Sequence, residues 1–320
     1  KIDSDGYIDR AYSDLKSYFL QAAYIKGNTF IKALTFGGHE KTYQSWFGLT
    51  KNQIIENRRQ NPYTYENEID NYKQDHYQFH WNQKLNQSWS SNVGLNYTYG
   101  LGYFEQYRKD DLVDFYGGLI LSDIDENGNE TGTSDLIRRR WLDNDFFVLN
   151  ASANYFSNRM NMTFGTFYSN YSGDHFGEIV WARKFGKNTS IRDRYYEGNG
   201  KKTDFSFFAK TSYTFNKSVE FYGDLQFRKV DYKTTGLTSD LVNMIIDNSY
   251  SFFNPKFGIS YKINPNVMFY GSYSRANREP SRSDYESNLD VKPEELNDFE
   301  LGWRYRKIGL KFNLNVYYML

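Results

Sequence analysis

Three guanidinium groups stand in a row at Arg138, Arg139 and Arg140, with the Trp141 ring beside them. A guanidinium binds carboxylate or phosphate through two parallel hydrogen bonds. The run therefore suits an anionic ligand such as a ferric chelate, a phosphate or lipopolysaccharide; the plainer reading is ion pairing with Asp143 and Asp145 at a rim. A second group, Arg58, Arg59, Tyr63 and Tyr65, combines cations with rings in a polar stretch. It could line an external vestibule or be an ordinary solvated loop. Arg278-Glu279-Pro280, with Arg282 and Asp284, reads as ion pairs at a rim or in a lumen rather than as chemistry.

Metal and nucleophile chemistry find little support. The only histidines are His39, His76, His80 and His175. His76 and His80 have the spacing of a metal pair, but four residues along a strand span about 13 Å, too far for one ion, so a polar, lumen-facing role is expected. Asp123-Ile-Asp125-Glu-Asn127-Gly128 matches the opening of a calcium loop, yet the twelfth position is Ser134 rather than Glu. Asn127-Gly128 equally suits a type I′ turn at a hairpin tip, and that reading is preferred. No Ser-His-Asp set, Gly-rich phosphate loop or paired-carboxylate site stands out, and the chain has no Cys. No catalytic residue, metal ligand or cofactor is expected, and the chain is not expected to be an enzyme.

The elements that must position these residues follow from an unusual balance. Phe, Tyr and Trp make up 19% of the 320 residues, yet the mean hydropathy is −0.78. No stretch approaches the roughly 18 apolar residues of a spanning helix. Lys+Arg and Asp+Glu balance at 39 each, without the basic excess of a nucleic-acid protein. The dominant hydrophobic period is two. Phe205, Phe207, Ala209, Thr211, Tyr213 and Phe215 share one face, opposite Asp204, Ser206, Lys210, Ser212 and Thr214, with Phe208 the exception. Val219, Phe221, Leu225 and Phe227 repeat the pattern after the turn Asn216-Lys217-Ser218.

The same unit recurs along the chain, giving about twelve strands in hairpins. Short turns alternate with long polar connections, at about 45–72, 104–140, 173–201, 234–251 and 276–296. Short turns on one side and long loops on the other define an all-β, antiparallel transmembrane β-barrel. A soluble propeller or sandwich is disfavoured, because Glu220, Asp224, Lys256, Glu300 and Arg304 lie deep within strands and a dry core would make them costly. With the short turns placed in the periplasm, both ends of this chain fall outside the cell. Single-chain bacterial barrels have even strand numbers and begin and end in the periplasm. Twelve strands in this phase therefore read as an internal piece of a larger barrel; a closed twelve-stranded barrel is the rival.

Particular segments then resemble a known family. Thr133-Ser-Asp-Leu-Ile-Arg-Arg-Arg-Trp-Leu-Asp-Asn-Asp-Phe146 and Tyr273-Ser-Arg-Ala-Asn-Arg-Glu-Pro-Ser-Arg-Ser-Asp-Tyr285 are similar to recurring motifs of TonB-dependent outer-membrane receptors of the Bacteroidetes type. Lys292-Pro-Glu-Glu-Leu-Asn-Asp-Phe-Glu-Leu-Gly302 looks like the family's late-barrel segment. Tyr63, Tyr65 and the run Asp75-His-Tyr-Gln-Phe-His-Trp81 fit its middle region. The resemblance implies a barrel of about 22 strands around an N-terminal plug, with residues 1–320 a partial barrel and no plug in this sequence. It also implies the outer membrane and active import of a scarce, bulky nutrient such as an iron–siderophore complex, haem or cobalamin. The implied partners are TonB, gripped through an N-terminal segment missing here, outer-membrane lipid and the transported ligand, with a surface lipoprotein as a candidate. The alternative is a passive porin-like or surface-binding barrel without a plug.

Overall fold

The computed structural model describes all residues, 1–320. Its strands are β1 (Ile2–Ser4), β2 (Ser13–Lys26), β3 (Thr29–Tyr43), β4 (Ile69–Lys84), β5 (Trp89–Leu112), β6 (Thr133–Phe156) and β7 (Met160–Ala182). They continue as β8 (Arg194–Thr214), β9 (Val219–Leu237), β10 (Asn243–Asn264), β11 (Val267–Arg278), β12 (Glu294–Lys307) and β13 (Leu310–Met319). Two short helices, α1 (Lys51–Glu56) and α2 (Arg282–Ser287), interrupt long connections. Each strand pairs antiparallel with its neighbour in sequence, making one 13-stranded sheet whose edges are β1 and β13. β1 is the addition to the expected twelve. No helix is long and apolar enough to cross a membrane.

Local chemistry sets the hairpins. Gly27 has φ +53 at the first central position of the two-residue turn that pairs Lys26 with Thr29, as a type II′ turn requires. Two other short turns use one device. Asn86 Oδ1 accepts the N–H groups of Ser88 and Trp89, and Asn216 Oδ1 accepts those of Ser218 and Val219. Such side-chain bonds replace the ladder where the strand reverses.

Register carries the alternation across the whole sheet. One face holds Tyr77 opposite Tyr97, which is opposite Phe147, and Phe207 opposite Phe227, which is opposite Phe253. Tyr261, Phe269, Trp303 and Leu314 extend that apolar face to β13. The other face carries the row His76, Thr98, Phe146, Tyr171, Lys202, Tyr232 and Asn248 across β4 to β10. This second, polar face is the inner wall. It is not free of rings, however. Phe208, the exception in its strand, lies over Gly165, where a Cβ would stand 2.3 Å from the ring. Tyr270 covers Gly302 in the same way. Rings over glycines fill the wall where no side chain is present.

The long connections are shorter than the alternation suggested. β5 and β6 each run 24 residues, about 80 Å of extended chain, while about 9–11 residues suffice to cross a bilayer. Roughly half of each strand therefore stands above the membrane. Beyond the bilayer neither face is selected for lipid, so period two fades while backbone pairing continues. The segment 133–140, expected in a loop, is strand for this reason.

Two connections fold back against the inner side of this upper wall. Between β5 and β6, Tyr116 is fully buried among Ile120, Leu136, Ile179, Ala182, Tyr195 and Tyr196. Between β11 and β12, Tyr285 of α2 is buried against Met244 and Ile246 and stacks on Tyr232 at 5.7 Å. Each segment is seated by one large ring with a hydrogen-bonded hydroxyl.

Candidate ligand-binding vestibule

The arginine run does not act as one patch. Arg138 to Trp141 lie on β6 rather than in a loop, so successive side chains face opposite sides. Arg138 is 8% exposed and points inward; it donates to the Tyr116 hydroxyl at 3.0 Å and to Gln106 Oε1 at 3.3 Å. Arg140, also inward, donates to the Tyr195 hydroxyl at 3.3 Å and lies 5.9 Å from the Phe104 ring. On the other side, Arg139 donates to Glu105 Oε2 at 2.7 Å and covers the Tyr103 ring at 4.4 Å. Trp141 donates to Glu178 Oε2 at 3.0 Å. The expected partners Asp143 and Asp145 are not used. They lie on the side of β6 opposite Arg138 and Arg140, and Arg139, on their own side, has Glu105 directly across the ladder on β5; Asp145 instead accepts from Tyr97.

The second group is split as well. Tyr65 donates to Glu105 Oε1 at 2.6 Å, so Tyr65 and Arg139 meet on the two oxygens of one buried carboxylate. Burial, and then the bond to Glu105, pushes the Tyr65 hydroxyl up to about 12. Tyr63 packs on Phe47 at 5.2 Å, and its carbonyl accepts from Arg10 at 2.8 Å. Arg59 pairs with Asp9 at 3.4 Å, whereas Arg58 is exposed and makes no ion pair. The stretch 44–68 is therefore knitted to the wall rather than freely solvated. Its last residue, Glu68, is 2% exposed. One oxygen accepts the Tyr107 N–H at 3.1 Å and the other has no partner. Burial raises its pKa to about 7; the Tyr107 N–H and Arg108 oppose this, and the nearby Glu105 adds to it.

The inner face also carries a charge network formed by groups the sequence left far apart. The Arg228 guanidinium donates to both oxygens of Asp204, at 2.6–3.1 Å. It also donates to both oxygens of Glu279, at 2.8 and 3.0 Å. Lys202 donates to Glu279 from the adjacent strand. Thus the ion pairing expected for Arg278-Glu279-Pro280 is present, with Arg278 bonded to Glu294 at 2.6 Å. α2 begins with a capping box in which Ser281 and Asp284 bond reciprocally. Arg282, next along, sits beside Gly200 within electrostatic reach of Tyr171, His175 and Tyr232. The clue in the sequence was polar alternation in β8 and β9, but neither Arg228 nor Asp204 announced its partner.

The other candidates take structural roles. His76 stacks on Phe36 at 4.4 Å and bonds Thr98 at 2.9 Å; His80 bonds Gln78 at 3.3 Å. No group of three or more His, Asp or Glu is placed to hold a metal ion. Asp125 Oδ1 accepts the N–H groups of Asn127 and Asn129. Gly128 has φ +84 and donates to the Asp125 carbonyl, while Asn127 keeps negative φ. This is a type I turn with a glycine bulge rather than the expected type I′ turn. The Asp125 side chain satisfies the backbone that a type I′ turn would have twisted.

A strand meander with an apolar outer band, a polar and charge-paired inner wall and long strands rising beyond the bilayer defines part of an outer-membrane β-barrel. The family model for the TonB-dependent receptor-like β-barrel matches residues 9–319, and the chain belongs to that family. Its members are bacterial outer-membrane proteins and receptors rather than enzymes. No curated protein matches the chain by sequence. Among solved structures, it is similar to the ferric citrate transporter FecA in the unliganded form (TM-score 0.64, 13% identity, 98% of this chain and 44% of that one). It is similar to the copper transporter OprC (TM-score 0.65, 10% identity, 98% and 47%). It is also similar to the siderophore receptor PiuA from Acinetobacter baumannii (TM-score 0.63, 11% identity, 98% and 50%). The chain spans about half the length of these structures.

Proposed function

We propose that this chain forms the wall of an outer-membrane active transporter that takes up a bulky nutrient, with energy delivered by TonB through a segment outside these 320 residues. The observation that carries the reading is the family match over residues 9–319. The inner wall adds chemistry. Arg140 and Arg282 stand among Tyr171, Tyr195 and Tyr232 above the membrane level, a setting that favours an anionic, ring-bearing cargo. An iron–siderophore complex is the first candidate, ahead of haem and cobalamin; ferric citrate and siderophores are named for similar structures. The motifs at Thr133–Phe146 and Tyr273–Tyr285 support the Bacteroidetes branch of the family. A plug supplied by the longer protein, and a surface lipoprotein, complete the proposed assembly. Deletion of the full gene should impair growth on one of these sources as sole supply and leave the others unaffected. Unimpaired growth on ferric siderophores, haem and cobalamin would reject the uptake reading.

A further inference from the structure

The segment from Glu279 to Val291 crosses the inner wall instead of extending outward. Glu279 is 6% exposed and reaches over β10 to Arg228 on β9 and Lys202 on β8. Tyr285 is 1% exposed; its hydroxyl accepts from Asn248 at 2.8 Å and bonds that of Tyr250. Arg228 and Lys202 together offer a bidentate fork and an ammonium to one carboxylate. That is the donor set of a carboxylate or phosphate site, and here the chain's own Glu279 fills it.

Three features make this occupant exchangeable. First, Arg228 keeps its bonds to Asp204 when Glu279 leaves, so no buried guanidinium is orphaned. Second, Lys202 is already 39% exposed and can be hydrated. Third, apart from Tyr285, which bonds Asn248 and Tyr250 of the wall, α2 satisfies its own polar groups, by its Ser281–Asp284 capping box and by the Arg282–Glu286 pair at 3.1 Å. The strap can therefore move as a unit.

We propose that Lys202 and Arg228 form an anion site whose resident occupant is Glu279, and that a carboxylate- or phosphate-bearing solute entering the lumen displaces Glu279 and lifts the strap. The proposal rests on the transport reading for its purpose, but its test does not involve uptake. Met244, 1% exposed beneath Tyr285, is the reporter. In the full-length protein, Met244→Cys is made the only thiol and labelled with a membrane-impermeant maleimide. With Glu279 in place, labelling is slow; citrate or inorganic phosphate accelerates it, and glucose does not. E279Q raises the rate about tenfold without any anion, and added citrate then changes nothing further. Arg275→Gln, which breaks a separate pair with Glu295, leaves the rate unchanged and shows that the strap responds to its own latch. A folded, detergent-resistant E279Q protein whose thiol at position 244 labels no faster overturns the latch. Acceleration by E279Q, together with no response of the protein that retains Glu279 to either anion, overturns the anion site.

Discussion

Arg138 and Arg139 are neighbours in the chain and anchors on opposite sides of one strand. Arg138 holds Tyr116 on the inner side, and Arg139 holds Glu105 on the outer side. Their substitutions should therefore couple to different partners. Arg139→Ala leaves the buried Glu105 carboxylate with Tyr65 as its remaining side-chain donor, at a cost of about 3 kcal/mol. Glu105→Gln in the same chain should recover most of that loss, whereas Arg138→Ala should show no coupling to Glu105→Gln. Chemical unfolding of the single and double variants in detergent measures both couplings. Equal coupling of the two arginines to Glu105 would contradict the two-sided geometry.

The same pair shows how far the sequence could be read. Within the bilayer, lipid selects every second residue, so Phe205 to Phe215 and their partners declared strands, faces and turns directly. Above it, that selection is absent. Arg138–Arg140 then read as a loop patch, although pairing to β5 and β7 continues through them. Glu279 and Arg228 lie 51 positions apart. Their meeting depends on the strap crossing β10, which hydrophobic period does not encode. Turn chemistry was legible only in part: glycine marked the bend at 128, but the Asp125 side chain decided its type.

Glu68 should make the anchoring of residues 44–68 depend on pH. Its pKa is raised from the ordinary carboxyl range to about 7 when the segment is closed. Below the ordinary range the acid is neutral in both closed and open states, and closure is strongest. As pH rises towards 7, the open state ionises first, and closure weakens; above about 7 it stays at the weaker level. Amide hydrogen exchange in 44–68 should accelerate between pH 5 and pH 8 beyond the intrinsic chemical rate. Glu68→Gln should abolish that excess. An identical excess in Glu68→Gln would assign the effect to another group.

The hairpin at Asp123–Thr131 should be indifferent to calcium. Asp125 is committed to three donors from Asn127 and Asn129, and Asp123 pairs with Arg183 at 3.3 Å. Asp125→Ala should loosen the tip by about 1 kcal/mol and quicken proteolysis there. Calcium should protect neither protein. Protection of the unsubstituted chain by calcium, lost in Asp125→Ala, would restore a metal role.

Gly165 and Phe208 give the sharpest test of the inner wall, because their contact is steric and leaves little room for adjustment. They are opposed directly across β7 and β8. The Phe208 ring occupies the space above Gly165, so a Cβ there would fall 2.3 and 2.5 Å from two ring carbons. Gly165→Ala must push the ring off its rotamer or part the strands, at about 1–3 kcal/mol. Phe208→Leu alone should cost a smaller amount through lost packing. Combining the two should cost less than the sum, since the smaller side chain vacates the contested volume. The pair Gly302 and Tyr270, where a Cβ would meet the ring at 2.1 Å, should behave alike in β11 and β12. Additive losses at both pairs, measured by thermal unfolding in detergent, would mean that the rings do not rest on the glycines and that the inner wall is packed differently.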